Sequence, residues 1–291
     1  MHGSQKVVVL SLLAPFGAMA AASEPPKFSG AAALEHTRKV VLFGPRPPGS
    51  AASRQMQAYL QAQLTKLGAK IQPHSFQANT PLGPKRMTNL IALFPGESRR
   101  ALVFSGHYDT KYMPDIRFVG ANDGGSSTGF LIEMARVVSK IPRPKDVYFV
   151  WFDGEESFGE WTDEDSLYGS RQLAEKWAAD GTLSKIDALI NVDMIGDRHL
   201  NILQDQGSSA PLRRLIWDTA RSLGYSQYFT SASTAVGDDH VPFIRKGVNA
   251  VDIIDLDYDP WHTAEDTMDK LSANSFQIVG DVLVEVLRRL K

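Results

Sequence analysis

Apolar segments typical of β-strands alternate along this chain with segments of helical spacing, and this alternation limits the fold more than any other feature. Runs rich in β-branched and aromatic residues predict strands at 69–76, 88–95, 101–106, 146–152, 186–192, 199–204 and 248–254. Apolar residues spaced three and four apart predict helices at 31–43, 52–67, 124–139, 167–179, 211–223 and 274–290. Several strands are apolar throughout, which is typical of strands buried on both faces. The sequence therefore predicts an α/β fold, with a central mixed, mostly parallel sheet and helices on both faces.

No internal repeat, low-complexity segment or linker divides the chain, so we expect one domain at 24–291. The first 23 residues have a different pattern. Lys6 precedes an apolar stretch from Val7 to Met19, and small residues around Ala20–Ser23 resemble a cleavage site. This pattern predicts a signal peptide at 1–23 and a secreted or periplasmic protein with no membrane span in its mature form. A short buried helix and a retained membrane anchor are the alternatives.

Charge and cysteine content exclude several classes of function. The formal net charge is −2 and no basic stripe stands out, so the charge pattern gives no reason to expect nucleic acid as a partner. Cysteine is absent, which excludes disulfides, thiolate ligands and a cysteine nucleophile. A zinc ion in this protein would have to be held by His, Asp and Glu. No heptad pattern or large apolar surface stripe indicates self-association, so we expect a monomer.

Acidic residues and histidines gather where predicted strands end. The segments that follow or close four of these strands are "GHYDT", "FDGEES", "NVDMIGD" and "DPWHTAEDT", while "GANDGGSSTG" opens a predicted helix and "DDHVPF" precedes the strand at 248–254. In open α/β sheets, ligands bind outside the carboxyl ends of the strands. The placement of these polar segments therefore predicts a functional site at that edge of the sheet.

Asp123, Glu156 and His262 are the candidate metal ligands. A catalytic zinc takes three protein ligands from His and carboxylates and keeps a fourth position open for substrate. Taken singly, these residues would be read as a helix N-cap, a solvated loop acid and a hydrogen-bonded structural imidazole. Glu155 directly precedes Glu156, so one glutamate can hold the ion while the other remains free to carry a proton as general base.

The stretch "GSSTG" at 125–129 matches the G-x-S-x-G pattern of serine hydrolases. That pattern requires a strand immediately before the serine, whereas the nearest predicted strand here ends at Gly106. Ser127 is therefore not expected to be a nucleophile. No lysine follows the glycines, which excludes a phosphate-binding loop of the Walker type.

Several segments together resemble the glutaminyl-peptide cyclotransferase family, the single-zinc branch of the zinc-aminopeptidase-like α/β fold. They are "GHYDTKYMPDIRFVGANDGGSSTG", "WFDGEESFGEWTDEDSLYGSRQLA", "NVDMIGD", "GDDHVPFIRKGV" and "WHTAEDT". The resemblance extends from "GPRPPGS" at 44–50 to the last predicted helix. It implies cyclisation of the N-terminal glutamine of peptides or proteins to pyroglutamate, with release of ammonia. It also implies one zinc per chain, held by Asp123, Glu156 and His262.

The resemblance further implies roles for individual residues. Catalytic roles fall to Glu155, Asp193 and Asp238: proton transfer, completion of an acidic hydrogen-bond network, and a hold on the amide nitrogen. Substrate-binding positions fall to Trp161, Trp261, Lys111 and His240, the last two near the pocket rim. His107 is expected to orient a neighbouring side chain. The chain departs from the animal enzymes in lacking a cysteine pair, and in having Met113 where those relatives have an aromatic residue.

Two other functions remain open on the residues alone. His107, Asp123, Glu156, Asp193 and His262 also match the five-ligand pattern of a dinuclear zinc aminopeptidase, in which Asp123 would bridge two ions. The fold could also carry a binding domain without catalysis. Spacing does not separate the first alternative from a cyclotransferase, but the flanking motifs favour the cyclotransferase. The presence of both the ligands and Glu155 argues against a binding domain.

Overall fold

The structure, a computed structural model, describes residues 1–4 and 26–290. A six-stranded sheet in this part of the chain has the order β1-β2-β4-β3-β5-β8. Its strands are β1 (Lys70–Thr80), β2 (Gly83–Phe94), β3 (Ala101–His107), β4 (Asp146–Phe152), β5 (Ile186–Asp193) and β8 (Ala250–Ile254). Two short strands, β6 (Ile202–Asp205) and β7 (Phe229–Thr234), pair in a separate two-stranded sheet.

The central sheet is mixed, as the sequence predicts. Strands β4, β3, β5 and β8 are parallel to one another. The hairpin of β1 and β2 adds an antiparallel edge, and β2 pairs antiparallel with β4. Both hairpin strands extend beyond the predicted ranges of 69–76 and 88–95. The added residues are mostly polar and alternate between exposed and more buried positions, so no continuous apolar run marks them in the sequence.

Helices cover both faces of the sheet, which confirms the predicted layers. The helices are α1 (Gly30–Val41), α2 (Ala51–Lys66), α3 (Gly125–Ser139), α4 (Tyr168–Ala179), α5 (Ala210–Ser222), α6 (Val241–Ile244) and α7 (Ala273–Arg289). Leu102 and Phe104 of β3 belong to a core cluster shared with α1, α2, α3, α5 and α7. Val103, between them, belongs to a second cluster shared with α4 and α6. Successive side chains of a strand point to opposite faces, so β3 is buried on both.

Two elements were not predicted from the sequence. Strand β7 carries the polar sequence FTSAST and is mostly exposed, so it lacks an apolar pattern. Helix α6 is a single turn, too short for helical periodicity to register. The predicted strand at 199–204 corresponds to β6, which begins at Ile202.

The parallel strands deliver their last residues to one edge of the sheet. β3 ends at His107 and β5 ends at Asp193, while the segments after β4 and β8 contain Glu156 and His262. No helix within residues 1–4 and 26–290 is long and apolar enough to cross a membrane. Most of the predicted signal peptide at 1–23 lies outside the described residues.

Candidate active site

A cavity of about 390 Å³ opens at the carboxyl edge of the parallel strands. The acidic and histidine residues that line it come from separate parts of the chain: Asp123, Glu155, Glu156, Asp193, Asp238 and His262. All five carboxylates are at least 94% buried, as their exposed fractions are 2%, 6%, 2%, 6% and 2%. The sequence-predicted acids therefore lie together in one cavity.

The three candidate metal ligands converge. Nε2 of His262 lies 2.9 Å from Oε1 of Glu156 and 3.2 Å from Oδ2 of Asp123. One ligand atom of each residue lies within 4.8 Å of the others. Asp123 stands just ahead of α3, whose N-cap, Gly124, has a φ of +72° that favours glycine. His262 itself has a φ of +55°, a strained conformation that the surrounding loop must hold in place.

The donor set fits a divalent cation such as zinc. Oδ2 of Asp123 is buried and accepts no hydrogen bond of good geometry, despite its 3.2 Å separation from His262 Nε2. Carboxylate oxygens and a neutral imidazole are ligands that zinc prefers. The cavity also contains more buried carboxylates than cationic side chains. A cation at this position would offset that excess of negative charge.

Asp266 holds the ligand loops together. Its Oδ1 accepts the N–H of Asn122 at 2.8 Å and its Oδ2 accepts the N–H of Asp123 at 3.2 Å. The hydroxyl of Tyr258 donates to the same carboxylate at 2.7 Å. Because Asp266 follows His262 by four residues, it links the loop of one candidate ligand to the backbone of another. Sequence reasoning assigned it no role, although "WHTAEDT" contains it.

Asp109 and Arg46 support the site from beneath. Oδ1 of Asp109 accepts the N–H of Glu155 at 3.2 Å, and Oδ2 accepts that of Glu156 at 3.4 Å. Arg46 is fully buried and donates to the carbonyls of Tyr108, Gly44, Val119 and Gly120. Asp109 thus fixes the backbone of the two adjacent glutamates. The guanidinium of Arg46 joins its own loop to the segments that directly precede Asp109 and Asp123. The only sequence signal was their presence in "HYDT" and "GPRPPGS".

The two adjacent glutamates differ in their partners. Glu156 contacts His262, whereas the carboxylate of Glu155 lies 4.0 Å from Nδ1 of His107. Burial raises the pKa of Glu155 well above its ordinary value, and His107 opposes this while the charges of Glu156 and Asp238 add to it. Burial and the charge of Asp123 raise the pKa of Glu156 to about 7 against the hydrogen bond from His262. A bound cation would lower carboxyl pKa values here.

His107 lies between two further carboxylates. Its Nε2 is 3.1 Å from Oδ1 of Asp123 and 3.2 Å from Oδ1 of Asp193. Burial alone would lower the pKa of His107, but the charge of Asp193 and hydrogen bonds to Asp109, Asp123 and Asp193 raise it well above the ordinary value. His107, Asp123 and Asp193 also form a second group able to hold a metal ion. The geometry is compatible with both the orienting role and the second-metal role considered from the sequence.

Trp161 and Trp261 line the cavity near its opening, where each is almost half exposed, at 45% and 46%. The ring centroids of Trp261 and His262 are 4.5 Å apart. On its other side, the imidazole of His262 meets Phe118 edge-on at 5.8 Å. The imidazole of His262 therefore contacts two aromatic rings, which limits its rotation.

Lys111 also lines the cavity, as expected from the sequence. Its Nζ donates to Oγ of Ser157 at 2.7 Å and lies 3.4 Å from Oε2 of Glu156. The side chain is 19% exposed. Lys111 thus places a positive charge beside a candidate ligand, in reach of the cavity interior.

Two residues considered from the sequence lie away from the cavity. His240 is fully buried behind the cavity wall, and its Nε2 lies 3.0 Å from Oδ2 of Asp205, which corrects the rim position expected for it. It directly precedes the one-turn helix α6. Ser127 is buried within α3 and donates to the carbonyl of His107 at 2.9 Å. No strand directly precedes Ser127, so the strand that the G-x-S-x-G pattern requires before its nucleophile is missing here.

Known proteins match this chain in both sequence and structure. The model of peptidase family M28 matches residues 89–287. Glutaminyl-peptide cyclotransferase from Drosophila melanogaster is 31% identical, and the match covers 79% of this chain and 73% of that relative. The crystal structure of an Acidobacteriales bacterium glutaminyl cyclase is 41% identical with a TM-score of 0.89, covering 96% of this chain and 99% of that one. A Zn-dependent exopeptidase from Parabacteroides distasonis is 26% identical with a TM-score of 0.83, covering 90% and 99%.

The fold is common to relatives that are named for different reactions. Similarity of fold therefore does not by itself decide the chemistry of this chain. The two glutaminyl cyclases named above are 41% and 31% identical to this chain and the exopeptidase is 26% identical, but the glutaminyl cyclase of Bacteroides thetaiotaomicron is also only 26% identical.

Proposed function

The chain belongs to peptidase family M28 and to the glutaminyl-peptide cyclotransferases, and on this premise we propose that it converts the N-terminal glutamine of peptides and proteins to pyroglutamate, releasing ammonia. One observation carries the proposal beyond family membership. The same cavity is lined by the converging set Asp123, Glu156 and His262 and by carboxylates outside that set, Glu155 and Asp238. A cyclase needs both: a set of groups for the carboxamide oxygen, and separate groups for protons and the leaving nitrogen.

The reaction forms one bond and breaks another within the same residue. The α-amine nitrogen attacks the δ-carbon of the glutamine side chain, and the bond between that carbon and the amide nitrogen breaks. The α-amine loses a proton, and the departing nitrogen gains one to leave as ammonia. Because the nucleophile belongs to the substrate, the protein has mainly to hold the two groups close together and to move the proton.

Glu155 is the proposed proton carrier. It is 6% exposed at the cavity, and its backbone is fixed by Asp109. Burial raises the pKa of Glu155 above its ordinary value, and a carboxylate with a raised pKa accepts a proton from an amine more readily than an ordinary carboxylate does. Asp238 is proposed to hold the amide nitrogen. Asp193, hydrogen-bonded to His107, completes the acidic network.

Asp123, Glu156 and His262 would hold one zinc ion, which when bound supplies a Lewis acid for the carboxamide oxygen. The indoles of Trp161 and Trp261 would form apolar walls near the opening of the cavity. Lys111 would contact the substrate near the rim. These assignments are proposals for individual residues, supported by their common position around one cavity.

The test measures ammonia release from Gln-Ala and related dipeptides alongside the zinc content of the purified protein. We expect ammonia in step with pyroglutamyl product, about one zinc per chain, and no free glutamine. Free glutamine without ammonia would refute the proposal. A protein that binds these peptides and turns over none would instead be a binding domain.

A dinuclear aminopeptidase is the second candidate, because His107, Asp123 and Asp193 form a second possible metal group. It predicts two zinc ions per chain and release of free amino acids from aminoacyl anilides. Metal counting and anilide cleavage on the same preparation separate the two functions.

We also propose that residues 24–291 form the mature domain, that it is a monomer, and that the segment 1–23 directs export. The Lys6 to Ser23 pattern in the sequence supports export, and the lack of a heptad pattern or large apolar stripe in the sequence supports the monomer. N-terminal sequencing of protein from expressing cells tests it: a mature chain starting near residue 24 is expected, and an intact Met1 would contradict cleavage.

A further inference from the structure

A buried aspartate and histidine stand directly behind the cavity wall that contains Asp238. The wall segment follows β7, and its residues 235–238 line the cavity. Asp205 is the last residue of the neighbouring strand β6 and pairs in register with Thr234, the last residue of β7. Its side chain is fully buried, and its carboxylate contacts the segment that β7 leads into.

The carboxylate of Asp205 contacts this wall segment at two places. Oδ1 accepts the N–H of Val236 at 3.1 Å, and Oδ2 lies 3.0 Å from Nε2 of His240. Asp238 is centred between these two attachments. The wall segment is thus tied to one carboxylate on both sides of the residue proposed to hold the amide nitrogen.

Asp205 is in turn fixed to the rest of the domain. Its Oδ1 also accepts the N–H of Gly207 at 3.0 Å, and its Oδ2 accepts the hydroxyl of Ser208 at 2.7 Å. The same hydroxyl oxygen accepts the N–H of Asp252, in β8, at 2.9 Å. The attachment therefore runs from the wall segment through Asp205 and Ser208 to a strand of the central sheet.

His240 depends on this contact. Its side chain is fully buried, and its Nδ1 has no hydrogen-bond partner in the described part of the chain. The bond to Asp205 is then the polar contact that fixes the orientation of the imidazole. A buried polar group that loses such a contact costs the full desolvation of that group, so the pair resists separation.

We infer that Asp205 and His240 are positioning residues, which hold the wall segment 235–240 so that Asp238 faces the substrate amide. The inference rests on the proposed function for the role of Asp238. Neither residue lines the cavity, and neither belongs to the ligand set, so both act through the wall segment. Zinc binding should be insensitive to them, because the ligands Asp123, Glu156 and His262 lie on other elements.

The test compares two variants in which the imidazole of His240 is replaced by a side-chain amide. In His240→Gln the amide nitrogen reaches the position of Nε2 and can donate to Asp205, whereas in His240→Asn it reaches only the position of Nδ1. We expect kcat within about threefold of the unsubstituted protein for His240→Gln, and a fall on the order of 10- to 100-fold for His240→Asn, as for other small misplacements of reacting groups. Asp205→Asn should resemble His240→Asn, and the exposed Asp218→Asn should have no effect.

Two further measurements separate positioning from general damage. Zinc affinity should remain unchanged in every variant. Amide hydrogen exchange should quicken in 235–240 of His240→Asn and Asp205→Asn but not of His240→Gln or Asp218→Asn, while the central strands stay protected. Equal kcat for His240→Gln and His240→Asn, or unchanged exchange in 235–240, would overturn the inference. So would a loss of kcat that accompanies an equal loss of zinc affinity. If the unsubstituted protein releases no ammonia, the proposed function fails, while the exchange measurement still decides whether the pair holds the wall.

Discussion

Nε2 of His262 lies 2.9 Å from Oε1 of Glu156, although 106 positions separate the two residues in the chain. The contact joins the loop after β8 to the loop after β4, and Asp123 completes the group at 3.2 Å from the same nitrogen. Hydrogen bonds to Asp123 and Glu156 raise the pKa of His262 to about 9, although burial alone would lower it. A metal ion would compete with that proton for the imidazole, because zinc binds the neutral ring.

Replacing His262 by Ala should abolish high-affinity zinc binding. The change removes the only imidazole of the three-residue ligand set, and second-sphere changes alone cost 10- to 100-fold, so a loss above about 100-fold is expected. Competition titration against a chromophoric chelator measures the affinity. His199→Ala, at an exposed position, is the matched control. Full zinc content in His262→Ala would remove it from the ligand set.

Replacing Glu155 by Gln should retain zinc and lose turnover. Gln keeps the size of the side chain but cannot carry the proton, and general acid–base catalysis contributes about 10²- to 10⁴-fold. Steady-state ammonia release gives kcat, and metal analysis gives the zinc content. Glu164→Gln, an exposed acid in a nearby loop, should behave like the unsubstituted protein. If kcat of Glu155→Gln were unchanged, another group would have to move the proton.

Replacing Asp266 by Asn should weaken zinc binding without unfolding the protein. Asn retains one oxygen, which can accept the N–H of either Asn122 or Asp123. Its amide nitrogen, which is a donor, would then face the remaining N–H. A loss of affinity of about 10- to 100-fold is expected, as for other groups that orient metal ligands. Asp269→Asn is exposed and serves as control. Equal zinc affinity in the two variants would mean that Asp266 does not orient Asp123.

Removing zinc with a chelator should lower the melting temperature. An ion that binds only the folded state stabilises it by about 2.7 kcal/mol when present at 100 times its dissociation constant. Readdition of zinc should restore the original transition. The melting temperature of His262→Ala should respond to neither treatment, since that variant lacks the ligand. A chelator effect of equal size in His262→Ala would place the stabilising metal elsewhere.

Because of Asp255, the free energy of unfolding should fall as pH rises from about 4 to about 7. Its side chain is buried and accepts the N–H groups of Asn201 and Asp257. Burial raises its pKa to about 7, and the charges of Asp197 and Asp257 add to the rise. Between the ordinary carboxyl pKa and 7, the folded state therefore binds more protons than the unfolded state, and stability declines with pH.

Asp255→Asn tests this, because an amide stays neutral across the range. Relative to the unsubstituted protein, its free energy of unfolding should improve between pH 4 and pH 8 by an amount on the order of 1–4 kcal/mol. Urea titrations with a chelator present measure it without interference from metal binding. Asp218→Asn, at the surface, should show no such trend. Parallel pH profiles for Asp255→Asn and the unsubstituted protein would contradict the assignment.

Local patterns in the sequence were enough for the fold class and for the main members of the site. The strand at 101–106 is recognisable because burial on both faces favours a continuous apolar run, and the helix at 124–139 because burial imposes a period of 3.6 on apolar residues. Strand ends then place Asp123, Glu156 and His262 at one edge, because parallel strands share an orientation. Strand β7 shows the limit of this reasoning, since an exposed strand carries no apolar signal.

What the sequence supplied by itself was a set of candidate residues for holding a metal and carrying a proton, because candidacy depends on side-chain chemistry and on position at strand ends. The resemblance to a known family then favoured one function for that set. Only the tertiary structure decided how that set is supported: Asp109 under the glutamates, Asp266 between two ligand loops, and His240 turned away from the cavity toward Asp205. These contacts join residues remote in the chain. The direction in which such a side chain points is set by the packing of the whole domain, which a local pattern does not contain.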